Sequence, residues 1–147
     1  MILPLSLRRA LAVAGLTAGL AAPATARADA ADAVHASPAV VNGVLYIGTD
    51  QLYAIRASDG TVLWTASCGG NGCEWSGPAV ANGVVYASTN GAAEFYAYDA
   101  NTGQRLATFA LPEGTTSAGG AVVVDGTLYL PYGVQETKGG VQAYRLR

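Results

Sequence analysis

The chain has 147 residues, 51% of them hydrophobic and only 12% charged, with a formal net charge of −2. That length holds one ordinary domain, the apolar content excludes a disordered chain, and the lack of a basic patch with interleaved aromatics argues against nucleic acid as a partner. Nineteen glycines and eight tyrosines favour strands and turns over helices.

Residues 1–28 are expected to form a secretory signal peptide. Arg8 and Arg9 supply a charged start, Ala10 to Ala22 an apolar run, and Ala26-Arg27-Ala28 a small-residue cleavage site. A membrane anchor is the weaker alternative, because a spanning helix takes roughly 20 apolar residues. No stable membrane span is expected after cleavage at Ala28, with Ala30 as the second choice. Arg8-Arg9 leaves twin-arginine export open beside the general route, and the destination is the periplasm, the cell envelope or the medium. Processing would remove Arg8, Arg9 and Arg27, leaving five basic against ten acidic groups, which argues against anionic membrane surfaces as well. Residues 29–36 read as a linker, and the sole histidine, His35, as a lone exposed side chain.

The rest of the chain repeats one unit. Ser37-Pro38-Ala39-Val40-Val41-Asn42-Gly43-Val44-Leu45-Tyr46 aligns with Gly77-Pro78-Ala79-Val80-Ala81-Asn82-Gly83-Val84-Val85-Tyr86, and with Gly120-Ala121-Val122-Val123-Val124-Asp125-Gly126-Thr127-Leu128-Tyr129. Asn42-Gly43, Asn82-Gly83 and Asp125-Gly126 are two-residue hairpin signals, since both central residues of a type I′ turn need positive φ. Matching strands follow at Leu52 to Ile55, Phe95 to Tyr98 and Val141 to Tyr144. Ala57 to Gly60 and Ala100 to Gly103 then turn into Thr61 to Thr65 and Gln104 to Phe109. The units, about 37–75, 76–116 and 117–147, are therefore expected to be all-β, four-stranded antiparallel meanders of the propeller-blade kind, the third without its outer strand.

Ala97-Tyr98-Asp99-Ala100-Asn101-Thr102-Gly103 resembles the first half of the blade signature A-x-D-x-x-T-G-x-x-x-W of the quinoprotein (PQQ) β-propeller superfamily, with Ala107 at the tryptophan position. Ala54 to Trp64 keeps Ala54, Gly60 and Trp64 but has Arg56 and Asp59 at the Asp and Thr positions. The resemblance implies blade-packing roles for Ala54, Gly60, Trp64, Ala97, Asp99, Thr102 and Gly103, with Trp64 docking on the neighbouring blade. Tyr46, Tyr86 and Tyr129 are expected to pack as well.

Complete members of that superfamily close a ring of blades, and the enzymes among them hold a quinone and Ca²⁺ in the central funnel. About three units are present here, so the reading is an incomplete propeller: a truncated member, or one that builds a ring from several chains. Unpaired blade edges invite pairing with other chains, so a protein partner or self-association through exposed edges is expected. Ala28 to Ser37 is Ala-rich and makes a poor closing strand. A quinone enzyme needs a carboxylate base and several oxygen ligands for Ca²⁺, whereas Asp50, Asp59, Glu74, Glu94, Asp99, Glu113, Asp125 and Glu136 are scattered. Asp59, Asp99 and Asp125 sit at turns, where Asp bonds its own backbone. No catalytic residue, metal or cofactor is expected; PQQ and Ca²⁺ enter only if the chain is part of a quinone-dependent alcohol or sugar dehydrogenase.

Between units 1 and 2 lies Ser67-Cys68-Gly69-Gly70-Asn71-Gly72-Cys73-Glu74-Trp75-Ser76-Gly77, with the only two cysteines. Two thiolates and one distant histidine fall short of the four ligands that zinc or iron–sulfur sites take. A catalytic dithiol uses closer spacing at a helix start. Export makes a Cys68–Cys73 disulfide the default, pinning an interblade loop. Glu74 and Trp75 are then a possible ligand or partner contact, against a reading in which Trp75 packs on the next blade. The chain is thus expected to be an exported, non-catalytic binding or scaffold module.

Overall fold

The computed structural model describes residues 34–73, 75–89, 91–117, 119–133 and 139–145. The expected signal peptide and Glu74 lie outside the described residues. Eleven strands form three antiparallel sheets. Unit 1 is β1 (Ala39–Val41), β2 (Val44–Gly48), β3 (Gln51–Arg56) and β4 (Val62–Ser67). Unit 2 is β5 (Ala79–Ala81), β6 (Val84–Ser88), β7 (Glu94–Asp99) and β8 (Arg105–Ala110). Unit 3 is β9 (Val122–Val124), β10 (Thr127–Tyr132) and β11 (Gly140–Arg145). Strands are in sequence order within each sheet, so every unit is the meander that the repeats imply.

Turn chemistry sets the register. Asn42, Asn82 and Asp125 have φ near +50° and their following glycines lie between +69° and +75°, the pair of positive values that a two-residue hairpin demands. The next turn is closed by Gly60 and Gly103, again at positive φ. One irregularity goes beyond the sequence reading. In β3–β4, Ala54 pairs with Trp64 but Ile55 with Val62; in β7–β8, Ala97 pairs with Ala107 but Tyr98 with Arg105. Leu63 and Leu106 are the extra residues of these β-bulges, and both are exposed.

The sheets stack face to face, with the innermost strands β1, β5 and β9 adjacent in turn. Alternation along each strand gives every unit two apolar faces. Tyr46, Leu52 and Ala54 of unit 1 meet Val85, Ala87, Tyr96 and Tyr98 of unit 2 in one buried cluster. Tyr86, Phe95 and Ala97 of unit 2 meet Leu128 and Leu130 of unit 3 in a second. Unit 2 is thus covered on both sides.

At the first interface the Trp64 indole N–H donates to the carbonyl of Ala100, 3.0 Å away, and the Tyr46 hydroxyl donates to the same oxygen at 3.2 Å. The indole lies against Gly103: a Cβ there would sit 2.6 Å from Trp64 Cε3. At the second interface the bulk moves. Ala107 stands where Trp64 does, and Phe109 stands where unit 1 has Ala66, as the pairings Phe95–Phe109 and Leu52–Ala66 show. Phe109 is 5.0 Å, ring to ring, from Tyr144 and 6.5 Å from Tyr86. A large–small pair at one interface is a small–large pair at the next, which fills the gap without the signature tryptophan.

Tyr129 departs from expectation. Tyr46 and Tyr86 are each 4% exposed, but Tyr129, at the same repeat position, is 39% exposed. Nothing among the described residues stacks on its side of unit 3.

Gly103→Ala adds a methyl group both at positive φ, which costs about 1–2 kcal/mol, and against the indole, where overpacking costs about 1–3 kcal/mol. A stability loss of roughly 2–5 kcal/mol is expected in urea unfolding followed by tryptophan fluorescence. Gly43→Ala shares the backbone strain, but its Cβ would meet no atom within 4 Å, so it should lose only the smaller, backbone part.

Candidate functional site

The interblade connection 67–78 lies at the end of the stack formed by the β2–β3 and β6–β7 turns. Cys68 and Cys73 are joined by a disulfide, with Cα atoms 5.6 Å apart, and both sulfurs are buried in the unit 1–unit 2 cluster. The loop is held on every side. Cys73 N–H donates to Thr49 O at 2.8 Å and Gly72 N–H to Gly69 O at 3.0 Å. From unit 2, the Tyr98 hydroxyl donates to Ser67 O at 2.8 Å.

Glycine is required at two contacts of this loop. A Cβ on Gly48 would come 2.2 Å from Cys73 O, and one on Gly72 would come 2.6 Å from Thr49 O. The Gly-Gly-Asn-Gly composition therefore serves close backbone approach. The disulfide is a structural clamp between two units.

Trp75 follows immediately after the clamp. It is 47% exposed, and its ring stacks on His35, centroids 4.4 Å apart and planes 16° from parallel. His35 is accordingly not the lone side chain that the sequence suggests: it lies just before β1 and brings the incoming chain against the interblade loop. Backbone approach at this point is close in successive units. A Cβ on Gly77 would lie 3.0 Å from Ser37 O, and one on Gly120 3.0 Å from Gly77 O. Ser76, also buried, donates its hydroxyl to Gly119 O at 2.9 Å.

Four of the described acidic groups, Asp50, Asp59, Glu94 and Asp99, are engaged locally. Asp50 accepts from the Thr49 hydroxyl at 2.6 Å. Glu94 accepts from the Tyr96 hydroxyl at 2.6 Å, while Arg105 lies over the Tyr96 ring, 4.8 Å from its centroid. Burial first, and that bond to Glu94 second, push the Tyr96 hydroxyl above its ordinary pKa. Asp99 accepts from the Thr102 hydroxyl and from the backbone N–H groups of Asn101 and Thr102, which holds its carboxyl below the usual range, the Thr102 hydroxyl contributing most. Asp99 and Thr102 thus fold the β7–β8 turn that carries Gly103 and Ala100 to Trp64. In unit 1 Asp59 does the same work: it accepts from Thr61 N–H at 3.0 Å and pairs with Arg56 at 2.8 Å. The Thr61 backbone bond, ahead of Arg56, brings its pKa down to about 2.

A quinone site with Ca²⁺ asks for converging oxygen ligands and a free carboxylate base. Among the described residues no three His, Cys, Asp or Glu side chains gather, and the acids above serve turns and neighbouring hydroxyls. The described residues alone do not assemble a Ca²⁺ ligand set. A cleft of about 360 Å³ opens at the opposite end of the stack, between Asn42, Tyr46, Asn82 and Asn101. It is lined by amides, a phenol and aliphatic groups, without a carboxylate.

Three meanders stacked face to face, each turned by an Asn-Gly or Asp-Gly hairpin, define part of a β-propeller. The chain belongs to the PQQ-type repeat family described as outer membrane protein assembly factor BamB, which matches residues 17–147. No curated protein matches the sequence. Among solved structures, the chain is similar to a quinohemoprotein alcohol dehydrogenase from Pseudomonas putida (29% identity, TM-score 0.66, 80% of this chain and 19% of that one). It is also similar to the quinohemoprotein alcohol dehydrogenase from Comamonas testosteroni (25%, 0.65, 80% and 20%). BamB from Moraxella catarrhalis shares the fold at 19% identity and TM-score 0.58, over 69% of this chain and 31% of that one. The chain therefore spans between about a fifth and a third of these structures.

Two outcomes follow. Replacing both cysteines by alanine removes a short-loop crosslink that stabilises by about 2 kcal/mol in the chain-entropy model, and the same drop should appear in urea unfolding of the wild type under reductant. Asp59 has a depressed folded pKa, so its contribution is present above its ordinary pKa of 3.8 and is lost as pH falls towards about 2. An NMR titration should place its midpoint near that value. Because the Thr61 backbone bond leads, Arg56→Ala should leave the midpoint well below 3.8.

Proposed function

We propose that the chain is an exported, non-catalytic binding or scaffold module of the cell envelope, working through protein contacts. The observation that carries this reading is the disposition of its chemistry. The carboxylates of Asp50, Asp59, Glu94 and Asp99 are committed to turns and neighbouring hydroxyls, while apolar side chains remain exposed on the outer faces and on β11, which among the described residues pairs only with β10. An open edge and an open face are surfaces for protein partners. The family description, an assembly factor of outer-membrane proteins, supports the same class of role. Beside the clamp, the Trp75–His35 stack, with Glu74 between Cys73 and Trp75 in the sequence, offers a rigid aromatic contact for such a partner. Among the described residues no helix is long and apolar enough to cross a membrane, and export rests on residues 1–28.

A second reading, part of a PQQ-dependent alcohol or sugar dehydrogenase, is favoured by one observation: 29% identity to a quinohemoprotein alcohol dehydrogenase. One experiment separates the two. The chain is purified from the envelope fraction of its host, given PQQ and Ca²⁺, and assayed for dye-linked alcohol oxidation and for heat of quinone binding. The module reading expects neither signal; turnover would replace it with the dehydrogenase reading. N-terminal sequencing of the same material should find Asp29 first, and a chain recovered intact from the cytoplasm would remove the exported half of the proposal.

A further inference from the structure

Each unit has two apolar faces, and the repeat makes them comparable position by position. On the side towards the next unit, Tyr46, Leu52 and Ala54 of unit 1 correspond to Tyr86, Phe95 and Ala97 of unit 2, and to Tyr129, Val141 and Ala143 of unit 3. The first two sets are buried under the following sheet. The third is exposed, with Val141 63% open, and Val122 and Val124 extend the patch along β9. On the side towards the preceding unit, Val80, Val85, Ala87 and Tyr98 of unit 2 are covered by unit 1, and Val123, Leu128, Leu130 and Tyr144 of unit 3 by unit 2. Their counterparts in unit 1 are Val40, Leu45, Ile47 and Ile55. Val40 is 61% exposed there, Leu45 and Ile47 are partly exposed and Ile55 is buried, and no sheet among the described residues stacks on that side.

We propose that these two open faces are the halves of one interface, and that a second copy of this chain covers them: unit 1 of one copy stacks on unit 3 of another as units stack within the chain. The inference does not rest on the binding role proposed above; it identifies a partner for a surface that role leaves open.

One detail points to a second copy rather than to an unrelated partner. Tyr98 and Tyr144 each donate a hydroxyl to a carbonyl on the fourth strand of the preceding sheet, to Ser67 O at 2.8 Å and Ala110 O at 2.9 Å. The unit 1 residue at this position is Ile55, which needs no acceptor. Unit 3 has no fourth strand among the described residues and offers none. The two open faces thus differ from the internal ones in complementary ways. A polar contact also carries over. Tyr46 donates to the carbonyl of Ala100, whose N–H is bonded to Gly83 O at 2.8 Å; Ala57 is held in the same way by Gly43 O at 2.8 Å. Tyr129 is the donor, and Ala57 of the second copy the acceptor, that the repeat sets against each other. Such a contact is head-to-tail, so copies add in one direction and close when the rotation allows.

The test is the mass of the full purified chain by sedimentation velocity across concentration, for the wild type, Val40→Asp, Val141→Asp and an equal mixture of the two variants. Both positions are already exposed, and circular dichroism with a thermal melt checks that each variant folds. The wild type should sediment as two or more copies, with each variant associating about tenfold or more weakly, because it buries an unpaired charge. The mixture should regain a one-to-one pair, since each variant keeps the half the other lacks. A monomeric wild type, assembly indifferent to either substitution, a mixture that forms no pair, or a different protein held in place of the second copy would each overturn the proposal.

Discussion

The structure depends on sheets packing face to face, and the contact that anchors the first pair is one indole on one glycine. Trp64 leaves the outer strand of unit 1, lies on Gly103 of unit 2 and donates to the Ala100 carbonyl. A single meander by itself leaves both of its apolar faces in water. Covering one apolar face with the next supplies the missing burial, and the polar groups at the rim are met across the interface. The Asp99–Thr102 turn matters for this reason: it presents the glycine and the carbonyl to the indole. The disulfide clamp does the corresponding work at the opposite end of the same interface, carrying the chain from one unit to the next with its sulfurs inside the shared cluster.

The two internal interfaces show that the architecture tolerates different means to the same end. The first uses a tryptophan with a small neighbour, Trp64 and Ala66; the second a small residue with a phenylalanine, Ala107 and Phe109. What is kept is the filled volume and the aromatic contact with the tyrosine of β2 or β6, Tyr46 or Tyr86. A signature tryptophan is therefore one solution to a packing constraint, and its loss from unit 2 costs the stack no cover.

Much of this fold was legible in the sequence because its signals are local. Asn-Gly and Asp-Gly fix hairpins by backbone sterics, and three repeats of Val and Tyr alternation fix which faces are apolar. The resemblance carried by Ala54 to Trp64 and by Ala97 to Gly103 led to the docking of Trp64. What stayed hidden depends on the third dimension. Alignment by eye sets Ala107 against Trp64, but only the bulged register shows that Phe109 takes over the aromatic role. The His35–Trp75 stack joins residues 40 positions apart with no repeat to signal it. Tyr129 reads like Tyr46 and Tyr86 in sequence, and only the stack reveals that it is uncovered. Of the expected site, Cys68, Cys73 and Trp75 come together with His35 around one loop, while Asp59 and Asp99 belong to turns at the other end of the sheets.

The central claim is that stability resides in the two faces of unit 2. Native-state hydrogen exchange tests it most directly, measured on the Val40→Asp/Val141→Asp double variant, which keeps the chain single. The account predicts that the amides of β6 and β7 exchange only through global unfolding, with β2–β3 and β10–β11 opening at lower free energy. Equal or greater protection in either flanking unit would contradict it.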